Sequence, residues 1–200
     1  SGLILKIREM EALGAEVLVC SVDITDQALM QAEIARVEQR FGRINGVIHA
    51  VGVWDGALLM RRTREMSREV LAPKVMGTLV LEKILAQSDL DFFILFSSVA
   101  AVLSLPGQCA YTAANAFLDA YAAAKRMNGG GNTVAIAWDR WQNTDMAMFL
   151  EREYTALLGE DMSTGIAAAE GVEALGRIIA EPRDMYPQVI ISAADLNLKI

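Results

Sequence analysis

The chain has 200 residues, 54% apolar and 22% charged, the size of one domain with ample material for a core. Its 18 basic and 25 acidic residues leave a net charge of −7 with no basic run, which argues against nucleic acid or an anionic membrane as partner. No stretch nears the roughly 18 uninterrupted apolar residues of a membrane span, and two distant cysteines with one histidine support neither a disulfide scaffold nor a zinc cluster.

In chain order, residues 16–21 (EVLVCS) form the first short apolar run and predict a strand. A helix is predicted over 26–41, with Leu29, Ile34, Val37 and Phe41 at helical spacing and its N-terminus just after Thr25. GVIHA at 46–50 predicts a second strand, 66–87 a helix, DFFILFS at 91–97 a third strand and 108–127 a helix. TVAIAW at 133–138, a helix over 165–180 and QVIIS at 188–192 complete the series. Runs this short and this continuously apolar fit strands buried on both faces of a parallel sheet. Their alternation with helices predicts one α/β domain with a Rossmann-like, doubly wound sheet. The glycine cluster at 128–132 ends a helix and leads into a strand, the reverse of a phosphate-cradling loop, so it reads as a C-cap and turn.

In such sheets ligands bind beyond the carboxyl ends of the strands. The residues there are 23–26 (DITD), 50–53 (AVGV), Ser97, Ser98, Asp139, Arg140 and Trp141. They describe a cleft with a carboxylate, a glycine turn, hydroxyls and an indole, suited to a nucleotide-like ligand. Tyr111 and Asn115 lie four apart on one helix face, Ser98 closes the preceding strand, and Lys74 lies in a helix crossing the same end. A tyrosine that gives up a proton near neutral pH needs a lowered pKa, which a neighbouring ammonium supplies. Serine and asparagine hydrogen-bond the reacting oxygen or hold a water or the lysine in place. His49 reads as a packed strand histidine.

The segment FSSVAAVLSLPGQCAYTAANAFLDAYA, 96–122, resembles the catalytic stretch of ketoreductase domains of modular type I polyketide synthases, within the short-chain dehydrogenase/reductase superfamily. EALGAEV, SVDITD, GVIHAVG, LAPKVMGTLVLEKIL, VAIAWDRW and QVIISAADL extend the resemblance along nearly the whole chain in the right order. Those domains carry Y-x-x-x-N in place of Y-x-x-x-K, with the lysine moved upstream. Tyr111-Thr112-Ala113-Ala114-Asn115 with Lys74 fits that variant.

The resemblance implies Tyr111 as proton donor and Lys74 as the group that lowers its pKa and contacts the nicotinamide ribose. Ser98 would orient the carbonyl and Asn115 support the arrangement. Asp23 would hydrogen-bond the adenine, Ile24 would join it in binding the cofactor, and Ala50, Val51 and Gly52 would back the cofactor ribose. NADPH is the implied hydride donor, and a β-ketoacyl chain on an acyl carrier protein the implied substrate, in the cytoplasm and among neighbouring synthase domains.

A literal Y-x-x-x-K, Tyr121 to Lys125, lies ten positions on, some 15 Å along the helix and about 80° short of whole turns, so it reads as structural. Met146, Met148 and Met162 flank the place where the family carries a lid; plain packing explains them equally. For stereochemistry, Trp54-Asp55-Gly56 stands where Leu-Asp-Asp marks one type and Leu103 where tryptophan marks the other, while Pro106 leans toward the D-configured alcohol. The family's first strands and glycine-rich loop find no counterpart here. The chain is therefore expected to be the C-terminal portion of a larger reductase, missing an N-terminal segment. The alternative is a non-catalytic, structural pseudo-reductase fragment within a synthase.

Overall fold

Four of the five expected strands hydrogen-bond into one parallel sheet in the computed structural model, which describes residues 2–54, 56–104, 106–130, 132–144, 148, 165–180 and 186–196. They are β1 (Gly46–His49), β2 (Phe92–Ser98), β3 (Thr133–Trp138) and β4 (Gln188–Ile191), in the spatial order β1-β2-β3-β4. Gly46 stands opposite Phe92, Phe93 opposite Thr133 and Ala135 opposite Gln188. The described helices are α1 (Gly2–Ala12), α2 (Gln27–Phe41), α3 (Arg64–Ile84), α4 (Cys109–Met127) and α5 (Ala168–Ala180).

Strand periodicity sends alternate side chains to opposite faces, and both faces are covered. Leu95 and Ala135 pack with Ile34 of α2, Leu81 of α3 and Leu118 and Ala122 of α4. On the other face Ile94, Ile136 and Trp138 meet Ala174, Leu175 and Ile178 of α5. The sheet is thus the expected α/β, Rossmann-like parallel one.

Helix ends follow local chemistry. Asp26 caps α2 by accepting from the amides of Ala28 and Leu29, both at 3.0 Å. Thr63 accepts from Met66 N at 3.2 Å, so α3 starts two residues before the apolar pattern predicts. At the end of α4, Gly129 adopts φ +83°, a left-handed turn that favours glycine, and Gly130 N donates to Lys125 O. The glycine cluster is a C-cap, as expected.

Two expectations need correction, and one helix was not expected at all. Residues 16–21 form no strand: the backbone there pairs with no ladder among the described residues, and Val19 is 59% exposed. Apolar character supplies a face, but a strand also needs a neighbour for its amides and carbonyls, and the sheet ends at β1. Helix α1 was not anticipated; it buries no residue, and Leu3, Ile4 and Leu5 lie exposed. Helix α5 begins at Ala168 rather than 165, because Ile166 pairs with Trp141 through Ile166 N to Arg140 O and Gln142 N to Ile166 O. Met146, Met162 and Asp55 lie outside the described residues.

Candidate active site

A cleft of about 370 Å³ opens beyond the carboxyl ends of β1, β2 and β3. Ala50, Gly52, Lys74, Ser98 and Tyr111 line it together, as do Asp139, Arg140 and Trp141. Residues from four separate stretches of sequence converge there because parallel strands all release their chains at one end of the sheet.

Ser98 is the last residue of β2, and its Oγ accepts from Ala100 N at 3.2 Å, closing the short 3-10 turn Val99–Ala101. Thr112 Oγ1 donates to Ala100 O at 2.9 Å, fastening this turn to the first turn of α4. That brings Tyr111 to the cleft beside Ser98. Burial raises the Tyr111 phenol above its ordinary range, while Ser98 and Asn115, as hydrogen-bonding neighbours, draw it back. The phenol is therefore protonated at neutral pH. The expected lowering by Lys74 is not what this geometry gives.

Lys74 is 4% exposed, and its ammonium donates to Phe96 O at 2.5 Å. Desolvation pushes it down to about 8, against an upward pull from Asp119. One of its three donor protons is used by Phe96, leaving others for a ligand. Gly52 keeps the approach open: a Cβ there would stand 3.1 Å from Lys74 Cε.

Asn115 is fully buried one turn below Tyr111, and its Nδ2 donates to Tyr111 O at 2.8 Å. Its Oδ1 is buried with no hydrogen-bond partner. It supports the cleft from beneath and does not line it.

Asp23, Ile24 and Val51 do not line the cleft. Asp23 accepts from Thr25 N and Oγ1 at 2.9 and 2.8 Å, which lowers its carboxyl, and the capping role falls to Asp26. Ile24 packs on Gly77 of α3. Val51 is 44% exposed. His49 is buried, and desolvation and the Lys74 charge push it down to about 4, so it is a neutral packed histidine. Tyr121 packs in the core and Lys125 pairs with Glu82 at 3.0 Å, which removes that motif from the site.

Sequence reasoning missed Gln108 and Phe96 on the cleft wall, which Leu103, singled out above for stereochemistry, also lines. Gln108 stands three positions before Tyr111, one helical turn, and that spacing was the available signal. Phe96, Trp138 and Trp141 form an aromatic series along one wall, with ring centroids 5.3 and 4.9 Å apart. The Trp141 indole is seated on Gly171 of α5, where a Cβ would come within 2.1 Å of the ring.

For a nicotinamide cofactor, the observations that fit are the glycine left open beside Lys74 and the spare ammonium donors. The described residues present no group of three or more metal-ligating side chains and no helix long and apolar enough to cross a membrane.

The KR domain family matches residues 4–143. The chain is 42% identical over 142 residues to the 6-methylsalicylic acid synthase of Aspergillus terreus (strain NIH 2624 / FGSC A1156), covering 70% of the chain and 8% of that protein. It is 34% identical over 191 residues to polyketide synthase PksN of Bacillus subtilis (strain 168), covering 93% of the chain and 3% of that protein. Among solved structures, the ketoreductase from the first module of phoslactomycin biosynthesis in Streptomyces sp. HK803 superimposes with a TM-score of 0.83 at 28% identity, covering 98% of this chain and 44% of that one. The chain thus spans less than a tenth of these two synthases and less than half of that ketoreductase. It belongs to the KR domain family, the ketoreductases of type I polyketide synthases within the short-chain dehydrogenase/reductase superfamily.

Proposed function

We propose that this chain carries the catalytic portion of an NADPH-dependent reductase that converts a β-ketoacyl thioester on an acyl carrier protein to the β-hydroxyacyl form. The observation that carries this reading is the meeting of Ser98 and Tyr111 in one cleft with the buried Lys74 ammonium. The chain works as the C-terminal portion of one catalytic domain, with a preceding segment completing it, in the cytoplasm and beside the other synthase domains. The PksN and 6-methylsalicylic acid synthase likenesses support that context.

The bound NADPH supplies the hydride. Lys74, Ala50 and Gly52 would hold its ribose end, with Val51, Asp23 and Ile24 further along the same side. Ser98 hydrogen-bonds the substrate carbonyl and orients it. Tyr111, kept protonated by its burial, gives its proton to that oxygen as charge builds there. Asn115 fixes Tyr111 through its backbone carbonyl. Trp138 and Trp141 shield the acyl chain from water on one wall.

The test is NADPH consumption by the full-length protein with a β-ketoacyl thioester surrogate and with the acyl-carrier-bound substrate. Turnover that Tyr111→Phe abolishes supports the reading. A wild-type protein that binds NADPH yet reduces neither substrate overturns it in favour of the structural module.

A further inference from the structure

After β3 the chain borders the cleft at Asp139, Arg140, Trp141 and Thr144. Gln142 lies among them without lining it. Its side chain is held elsewhere: Nε2 donates to Gly165 O at 2.8 Å. Beside that bond stand two backbone ones, Ile166 N to Arg140 O at 2.8 Å and Gln142 N to Ile166 O at 2.9 Å, which make the Trp141–Ile166 bridge. So short a ladder is marginal by itself, and the Gln142 amide adds a third bond to it. Gly165 makes the fit possible, because it is buried and a Cβ there would come within 2.6 Å of Arg140 O.

Both ends of this clasp are anchored. Asp139 Oδ2 accepts from Ser192 Oγ at 2.8 Å, and Asp139 N donates to Ile191 O at 2.8 Å, which ties the segment's start to the end of β4. Ile166 is 2% exposed and packs in the core with Ile94, Ile136 and Trp138. Past Gln142 the chain turns at Asn143, with φ +57°, a left-handed conformation that asparagine adopts more readily than most residues. That turn returns Thr144 to the cleft wall. Gln142 thus fastens the point between two wall residues, Trp141 and Thr144. Ser98 and Tyr111 stand on β2 and α4 and are joined through Ala100 and Thr112, so the reacting side of the cleft does not depend on this clasp.

We propose that Gln142 is a positioning residue that decides which acyl chains the cleft accepts. Clasped to Gly165, it holds Trp141 and Thr144 as a fixed wall, against which a long acyl chain lies and which a short one does not reach. It touches neither substrate nor cofactor and acts through its two neighbours. The inference deepens the reductase reading and rests on it for the substrate, whereas the clasp is tested without it.

The test compares the full-length protein with two variants. Gln142→Met matches the side chain in length and has no donor, while Gln142→Arg puts its Nε where the amide nitrogen was. Amide hydrogen exchange, read by mass spectrometry, should speed at Gln142 and Ile166 in Gln142→Met, stay unchanged over β2, and recover in Gln142→Arg. With acetoacetyl and β-ketodecanoyl thioesters as substrates, Gln142→Met should raise KM for the longer one about fivefold, the effect of one lost hydrogen bond. KM for the shorter one and kcat for both should hold, and Gln142→Arg should restore the longer substrate. Unchanged exchange, an equal change in KM for both substrates, or a loss confined to kcat overturns the proposal. If Gln142→Met does not fold, Gly165→Ala presses on Arg140 O from the other side of the clasp and should give the same split in KM; no split overturns it. Absence of wild-type turnover with both thioesters counts against the reductase reading. Binding of the β-ketodecanoyl thioester then judges Gln142: weaker binding in Gln142→Met supports the proposal and equal binding overturns it.

Discussion

The ammonium of Lys74 donates to the carbonyl oxygen of Phe96 at 2.5 Å, tying the middle of α3 to the end of β2 directly under the cleft. The burial of this ammonium has a stability consequence with a definite sign. The Lys74 pKa falls from its ordinary 10.5 to about 8 on folding, so between those values the unfolded chain binds the extra proton. Stability therefore rises with pH across that window, by up to about 3 kcal/mol. Denaturant unfolding at pH 8 and pH 10 should show a steeper rise for wild type than for Lys74→Met. Equal slopes would mean that the lysine is not desolvated as described.

His49 makes the corresponding prediction on the acid side. Its folded pKa is about 4 against an ordinary 6.5, so its contribution is complete above 6.5 and disappears as pH falls toward 4. His49→Leu, a substitution of similar bulk in a site that is 2% exposed, should flatten the loss of stability between pH 6.5 and 4. Thermal unfolding across that range measures it, and an unchanged acid limb would contradict the assignment.

The two tyrosines of α4 should separate cleanly. Tyr111→Phe is expected to lower turnover by roughly 10² to 10⁴ while leaving the unfolding midpoint near wild type. Tyr121→Phe should leave turnover unchanged, because Tyr121 packs in the core away from the cleft. Steady-state kinetics on both variants in the same assay would show a reversed order if the Y-x-x-x-K pair were the working one.

Gly171 holds Trp141 by having no side chain. A Cβ would meet the indole at 2.1 Å, so Gly171→Ala must push the ring toward the cleft or shift α5. A destabilisation of about 1–3 kcal/mol is expected, with a change in tryptophan emission. The emission is the discriminating signal, since a merely weaker helix would leave the indole where it is.

Much of the fold was legible because burial on both sheet faces leaves a short apolar run for each strand. TVAIAW at 133–138 matches β3 residue for residue, and GVIHA, DFFILFS and QVIIS mark β1, β2 and β4 within one residue at either end. EVLVCS carries the same pattern and forms no strand, because pattern describes side chains whereas a strand is completed by a neighbour's backbone. Helix α1 escaped notice for a related reason: Leu3, Ile4 and Leu5 lie exposed, and among the described residues none of the helix is buried.

The candidate site divides along the same line. By itself the sequence determined that Tyr111 and Asn115 share a helix face and that Ser98 ends a strand, since both follow from local periodicity. Only the tertiary structure brought Lys74 from α3 to Phe96, closed the turn after Ser98 onto Thr112, and put Gln108 and the aromatic wall around the same space. It also reversed the expected direction at Tyr111, where burial outweighs its hydrogen-bonding neighbours. Desolvation depends on everything packed around a group, and residues distant in sequence do most of that packing. Spacing along one chain can place a phenol, but the pKa of that phenol is decided by the fold.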